Sequence, residues 1–136
     1  MASYVGVGRT NYFKVKDPEL FKAAMGALSE EITVREHEGL FCLLDDHADG
    51  GGWPVIYEED EEGEELDEQI EIAEFVAQFL EDGWVLIIKE IGHEKYRYCS
   101  GWATAINNKG QRRDVNLNDI EELAKELGEH VTEPRY

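Results

Sequence analysis

The sequence has few of the residues that cross-link a small fold. It contains two cysteines, Cys42 and Cys99, without a CxxC pair, and three prolines among 136 residues. Two separated thiols suggest neither a disulfide framework nor a zinc knuckle, so we expect both to be reduced and buried. No apolar run approaches the ~20 residues that span a bilayer, and the first residues lack the layout of a secretory signal. These absences predict a cytoplasmic protein without a membrane partner.

Positive charge is also missing, but from one segment only. Residues 57–82, here called the acidic segment, carry thirteen acids and no Lys or Arg, whereas the rest of the chain sets eighteen acids against thirteen bases. Acidity that serves solvation alone would be spread over every exposed element. The net charge of −18 therefore comes mainly from one segment, which is either a solvated face or a binding surface.

The length and composition predict one folded domain over residues 1–136. A chain of this size buries roughly two-thirds of its unfolded surface without staples. Hydrophobic residues make up 42% of the chain, more than a disordered protein carries. We expect an acidic loop and helix at 57–82 within the domain and a loose C-terminal tail from residue 129.

Hydrophobic periodicity predicts three helices. Asp17 as N-cap and Pro18 at the first helical position begin the first helix, and an apolar stripe from Leu66 to Leu80 predicts the second. The third follows a capping box formed by Asn118 and Glu121. The carboxylates of the second helix lie near its positive dipole end, where they are favourable, but they crowd one another at helical spacing.

The remaining segments predict an antiparallel sheet. Residues 9–15 have a strand pattern, a hairpin turns at Glu38-Gly39, and a second hairpin turns at Gly92-His93, with a further partner over 111–117. A short edge strand is possible just before the acidic segment. The order β-α-β-β-(β)-α-β-β-β-α indicates an α+β fold, with a mostly antiparallel sheet and about three helices packed on one face.

Two constellations offer alternative chemistry. Oxygen and imidazole ligands within five residues could hold a divalent cation for a small metal-dependent enzyme, although turn chemistry explains the same residues: Asp45, Asp46, His47 and Asp49. The aromatics Tyr96, Tyr98 and Trp102 alternate along one strand and could form a protein-interaction surface. Direct nucleic-acid binding is disfavoured because a chain of charge −18 repels phosphate.

No nucleophile can be assigned from the sequence. The four histidines show no Ser-His-Asp or Cys-His order. His93 and Cys99 are six residues apart at one strand end, a separation that keeps them from touching unless the chain folds back. We therefore expect a protein that is not an enzyme and that needs no cofactor or metal.

The acidic segment is the main candidate for a binding surface. Its acids lack Lys partners at helical spacing, and the apolar side of the predicted helix would anchor them rigidly to the domain. A row of carboxylates can imitate the charge of a nucleic-acid backbone and occupy a basic groove. The predicted partner-binding residues are Glu58, Glu59, Asp60, Glu61, Glu62, Glu64, Glu65, Asp67, Glu68, Glu71 and Glu74.

Three segments of the sequence resemble those of a known class of proteins. The chain contains "RTNYFKVKDPELF" near its start, "GGWP" in its middle and "YRYCSGWATAINNKG" towards its end. In this respect it resembles the small acidic accessory proteins of phages and plasmids, of the anti-CRISPR and antirestriction type. The resemblance implies an inhibitor that acts in the host bacterial cytoplasm, where it binds a basic nucleic-acid-binding protein or nuclease complex, in several cases by imitating DNA.

Overall fold

The computed structural model describes residues 5–27, 32–45, 53, 56–59, 65–94, 98–132 and 134, with the backbone alone for 57–59, 65–69 and 98. Eight strands and three helices are formed within these ranges. In chain order they are β1 (Val5–Thr10), α1 (Pro18–Gly26), β2 (Thr33–His37), β3 (Leu40–Asp45), β4 (Ile56–Glu59), β5 (Glu65–Ile70), α2 (Ile72–Ala77), β6 (Leu86–Glu94), β7 (Tyr98–Ile106), β8 (Arg112–Asn116) and α3 (Asp119–Ala124).

Six strands form one sheet, and the other two form a separate ribbon. The sheet order is β2-β3-β1-β6-β7-β8, and every neighbouring pair is antiparallel. Strands β4 and β5 pair only with each other, from Ile56 opposite Ile70 to Glu59 opposite Glu65. The α+β class and the antiparallel sheet are thus confirmed.

The two faces of the six-stranded sheet differ in burial. In β1 the residues Gly6, Gly8 and Thr10 are buried and the alternate residues are exposed, as the two-residue period of a strand requires. In β6, Leu86 and Ile88 are likewise buried while their neighbours are exposed. We call the side of these buried residues the inner face and the opposite side the outer face.

Helices α1 and α2 supply buried residues to the core. Phe21 and Met25 of α1, and Ile72 and Val76 of α2, belong to one apolar cluster with side chains of the sheet. Phe21 is central because its ring meets three other phenylalanines edge to face, namely Phe13, Phe41 and Phe79. By contrast α3 has no buried residue, so its predicted apolar stripe does not join the core of the described chain.

The first helix and the first hairpin confirm their sequence signals. Asp17 caps α1 by accepting a hydrogen bond from the backbone N–H of Leu20, and Pro18 opens the helix. The β2–β3 hairpin turns at Glu38 and Gly39, both with positive φ, which is the conformation that a two-residue type I′ turn needs. Both elements depend on neighbouring residues only.

The predicted helix over 66–80 is wrong in its first half. Residues Glu65–Ile70 form strand β5, and helix α2 covers only Ile72–Ala77. A helix advances about 1.5 Å per residue and a strand about 3.3 Å, so the extended form separates adjacent carboxylates further. Pairing with β4 also satisfies backbone groups that a helix would otherwise satisfy internally.

Three other boundaries are corrected. Strand β1 is Val5–Thr10 instead of 9–15, although Phe13 and Val15 still form single bridges. Strand β6 runs through Gly92 and His93 to Glu94, so the hairpin turns later than predicted. Asn118 makes no capping side-chain bond to α3, because its backbone is already helical.

Candidate functional site

A cleft of about 770 Å³ opens beside the edge strand of the sheet. Its wall includes the inner side of β7 and β8, the junction between β5 and α2, and the isolated residue Trp53. The volume lies within the range of small-molecule and side-chain pockets. Its lining is a mixture of apolar and charged groups that includes Trp53, Trp102, Glu71, Arg112, Asp114 and Asp119.

Arg112 organises the charged side of the cleft. Its Nε and Nη2 donate to the two oxygens of Asp114 at 3.0 and 2.7 Å, a bidentate fork between alternate residues on one side of β8. Its Nη1 donates to Glu71 Oε2 at 2.9 Å and Glu74 Oε1 at 3.1 Å. Three carboxylates from two elements therefore share one guanidinium, which ties α2 to the edge strand.

Asp114 is held in its charged form. The hydrogen bonds from Arg112 and from the Thr104 hydroxyl lower the pKa of Asp114 from 3.8 to about 2. The same carboxylates, Asp114 first and Glu71 next, raise the pKa of Arg112 above its ordinary value. The pairing therefore persists at every physiological pH.

The low pKa of Asp114 argues against hydroxyl activation at this position. Thr104 Oγ1 donates to Asp114 Oδ1 at 2.5 Å, an arrangement that could serve a nucleophile and its base. A carboxylate with a pKa of about 2 accepts a proton poorly at neutral pH, so it cannot activate the hydroxyl effectively. The Thr104–Asp114 pair therefore positions charge and does not prepare a reaction.

Two tryptophans form the apolar side of the cleft, and one carboxylate holds both. Glu90 accepts a bond from the Trp53 backbone N–H at 2.9 Å and from Trp102 Nε1 at 3.3 Å. Trp53 Nε1 in turn donates to the Lys89 carbonyl at 3.1 Å. Indole rings beside carboxylates that outnumber the one guanidinium suit a cationic group or a hydrogen-bond donor.

The predicted acidic surface is divided between two environments. Glu71 and Glu74 lie at the start of α2, where both bind Arg112, so part of the acidic segment is paired with a base that lies 41 and 38 residues further along the chain. Other acids lie on the ribbon, with Glu58 and Glu59 in β4 and three more in β5: Glu65, Asp67 and Glu68. The rest lie outside the described residues: Asp60, Glu61, Glu62 and Glu64.

The predicted metal loop lies mostly outside the described residues. Asp45 ends β3 and is fully buried, while Asp46, His47 and Asp49 lie outside the described residues. Within the described ranges, no three His, Cys, Asp or Glu side chains are grouped so that they could hold a metal ion.

Only one of the three predicted sheet aromatics has a side chain within the described structure. Tyr96 lies outside the described residues, and Tyr98 begins β7. Trp102 packs half-buried against the core, so it is a structural residue that also lines the cleft. Trp102 therefore does not contribute to an exposed aromatic row.

The cysteine expectations need two corrections. Cys42 is buried as predicted, but Cys99 is exposed. The β6–β7 hairpin folds the chain back and sets His93 directly opposite Cys99, so their separation in sequence does not keep them apart. A hairpin register makes neighbours of residues that seem distant along one strand.

The sequence reasoning missed the Arg112 network, although one signal was present. In "QRRDVNL" the alternation of a strand places Arg112 and Asp114 on the same side, and an Arg and a carboxylate two residues apart form a natural pair there. The other two residues of the network, Glu71 and Glu74, lie at the start of α2, and no local pattern in the sequence links them to Arg112. That part of the site depends on the tertiary fold.

The chain matches no protein-family model, no curated protein sequence and no solved structure. In the part of the chain that the structure describes, no helix is long and apolar enough to cross a bilayer.

The low pKa of Asp114 gives a testable pH dependence. Because the folded pKa of about 2 lies below the ordinary value of 3.8, the pairing stabilises the fold fully above the ordinary value and loses this effect as the pH falls towards 2. The melting temperature of the wild type should therefore exceed that of Asp114→Asn at pH 6, and the gap should shrink between pH 4 and pH 2. A gap that stays constant over this range would contradict the assignment.

Proposed function

We propose that the protein is a non-enzymatic inhibitor of the anti-CRISPR or antirestriction type, acting in a bacterial host cytoplasm. In this proposal its acidic segment binds the basic nucleic-acid-binding surface of a nuclease complex as a DNA mimic, and the protein itself binds no nucleic acid. The observation that supports the proposal most is the ribbon β4–β5, which carries acids on both strands and pairs with no strand of the main sheet.

The ribbon suits this role because its charges repel one another. The register sets Glu59 opposite Glu65, and like charges directly opposite in an antiparallel pair are destabilising. A basic partner would relieve this repulsion, so the free protein retains charge that is favourable only in a complex. A ribbon selected only for folding would place Lys or Thr at one of these positions.

The spacing of the ribbon is compatible with nucleic-acid imitation. Alternate residues on a strand are about 6.6 Å apart, which is close to two phosphate steps of about 3.4 Å along one DNA strand. On β5, Glu65 and Asp67 stand at such alternate positions. A groove lined by Lys and Arg could therefore accept the ribbon where it normally accepts a duplex.

The anchoring of the ribbon supports rigid presentation. Ile70 ends β5 beside the cleft, and Ile72 at the start of α2 is buried in the core two residues later. Glu71 between them binds Arg112. We further propose that α1 and α2 pack on one face of the sheet and so fix the base of the ribbon. Because Glu71 and Glu74 already have Arg112, the binding charge is assigned chiefly to the ribbon acids.

Charge reversal on the ribbon tests the proposal. Cells with active CRISPR interference or restriction should be infected by a targeted phage far more efficiently when they express the wild-type protein. We call this gain in infection protection of the phage. Glu65→Lys with Asp67→Lys should abolish this protection, because alternate residues of β5 lie on one side and two unfavourable charges then face the basic groove, a loss on the order of a hundredfold or more in affinity. Efficiency of plating measures the effect.

The matched control carries the same change of charge elsewhere. Glu19 and Glu38 are exposed acids on α1 and in the β2–β3 turn. Their replacement by Lys should leave protection unchanged. Purified proteins should reproduce the difference when they compete with labelled duplex DNA for a nuclease complex at two salt concentrations. Equal protection by the ribbon variant and the control, or no protection by the wild type in any strain tested, would refute the proposal.

A further inference from the structure

The outer face of the sheet is apolar and exposed. Val5 and Val7 of β1 are each 49% exposed, Ile87 and Ile91 of β6 are 38% and 62% exposed, and Val115 of β8 is 63% exposed. The strand registers place these residues on the same side of the sheet, on three of its strands. In the described part of the chain neither α1 nor α2 covers this side, because both bury their apolar residues in the core. Such a patch on a folded chain is typical of an interaction site.

The charges on this outer face have one sign. The strand positions that point outwards include Arg9, Arg35, Lys89 and Arg113 and, within the described strands, no Asp or Glu. Arg9 lies directly opposite Lys89, a like-charge pair that disfavours the sheet. Among described residues none of the four cations forms an ion pair. In a chain of charge −18, this concentration of bases indicates an acidic binding partner.

Helix α3 has the complementary properties. Its apolar stripe is exposed, with Ile120 at 58% and Leu123 at 54% in the helix. The stripe continues to Leu127, which follows the helix and is 92% exposed. Acidic residues flank this stripe: Asp119, Glu121, Glu122 and Glu126. A helix of six residues is marginal by itself and is normally stabilised by packing its apolar side. Within the described chain α3 buries no residue fully.

We propose that two copies of the chain associate by placing α3 of each on the outer face of the other. The apolar stripe of α3 would cover the exposed valines and isoleucines, and its acids would meet Arg9, Lys89 and Arg113. A two-fold axis makes both copies contribute both surfaces, so the contact occurs twice. Each contact then needs to supply only half of the roughly 1,200–2,000 Å² that a stable interface buries.

The exposure of α3 favours a second copy, and not the chain's own sheet, as the surface that covers its apolar stripe. In the single chain Leu117 already lies over the outer side of β7, since a Cβ atom on Gly101 would be 3.6 Å from Leu117 Cβ. The helix that follows nevertheless leaves its stripe 54–92% exposed. The stripe is therefore covered only in part by its own chain and is available to another molecule.

Sedimentation velocity of the full chain tests the proposal. Over about 1 to 100 μM the wild type should shift from monomer to dimer, and added salt should weaken the dimer. Leu123→Glu on the helix and Ile91→Glu on the sheet should each raise the dissociation constant at least about 30-fold, because a carboxylate would be buried against apolar groups. Leu20→Glu is the control, since Leu20 is 58% exposed on α1 and lies on neither surface.

A mixture of the two variants gives the decisive result. The Leu123→Glu copy retains an intact sheet and the Ile91→Glu copy retains an intact helix, so the mixture should form a heterodimer through one of the two contacts. Sheet-to-sheet or helix-to-helix association would not be rescued by mixing. Circular dichroism confirms that both variants fold. A monomeric wild type, a dimer that neither variant weakens, or a mixture that stays monomeric would overturn the proposal.

Discussion

Phe21→Ala is expected to lower the free energy of unfolding by about 3–5 kcal/mol, a large part of the total for a domain of this size. Phe21 is fully buried on α1. Its ring centroid lies 5.8 Å from Phe13, 5.0 Å from Phe41 and 5.6 Å from Phe79, each with edge-to-face geometry. The substitution removes the ring that connects these elements and leaves a cavity that the neighbours fill only in part.

Chemical denaturation monitored by circular dichroism measures this loss. Leu20→Ala is the matched control, because Leu20 precedes Phe21 in the same helix and is 58% exposed. Its effect should stay within about 0.5 kcal/mol. If the two substitutions destabilise the protein equally, Phe21 is not at the centre of the core, and the packing of α1 against the sheet would have to be reconsidered.

Local signals in the sequence were sufficient for the elements that depend on neighbouring residues. Asp17 and Pro18 predicted the start of α1, and the pair Glu38-Gly39 predicted the β2–β3 turn. In both cases the physical cause lies within four residues, so an isolated pattern determines the result. The antiparallel sheet followed from the order of such elements.

Long-range contacts explain where the sequence was insufficient. Leu66 and Ile70 are four residues apart and fit a helix, yet β5 forms because β4 is available to pair with it. The same limit applies to the site. Arg112 meets Glu71 and Glu74 only when the fold brings β8 beside α2, and the separations of 41 and 38 residues leave no periodic trace. The acidic segment was recognised, but its internal division was not.

That division changes how the charge of the protein should be interpreted. Acids at 71 and 74 contribute to the structure through Arg112, whereas the ribbon acids are the ones proposed to bind a partner. The bases are also segregated, since the outer face of the described sheet has cations and no acid. One chain therefore presents surfaces of opposite sign, which permits a basic partner at the ribbon and self-association at the sheet.

Gly8→Ala is expected to destabilise the protein by about 1–3 kcal/mol through overpacking, although the change adds a single methyl group. Gly8 lies on the inner face of β1, opposite Glu90 of β6. A Cβ atom there would lie 2.6 Å from the Lys89 carbonyl oxygen and 2.5 Å from Trp53 Nε1. The indole must therefore move and lose its bond to that oxygen, and strands β1 and β6 must shift apart because the carbonyl belongs to the paired backbone.

Gly26→Ala separates this steric effect from the general effect of replacing glycine. Gly26 ends α1, and no atom lies within 4 Å of the position that its Cβ would take, so alanine should stabilise the helix by up to about 1 kcal/mol. Thermal unfolding should therefore move in opposite directions for the two variants. Tryptophan fluorescence should shift to longer wavelength in Gly8→Ala alone, because Trp53 becomes more exposed to water. Equal melting temperatures and spectra would mean that Trp53 does not rest on Gly8, and the apolar wall of the cleft would lose its support.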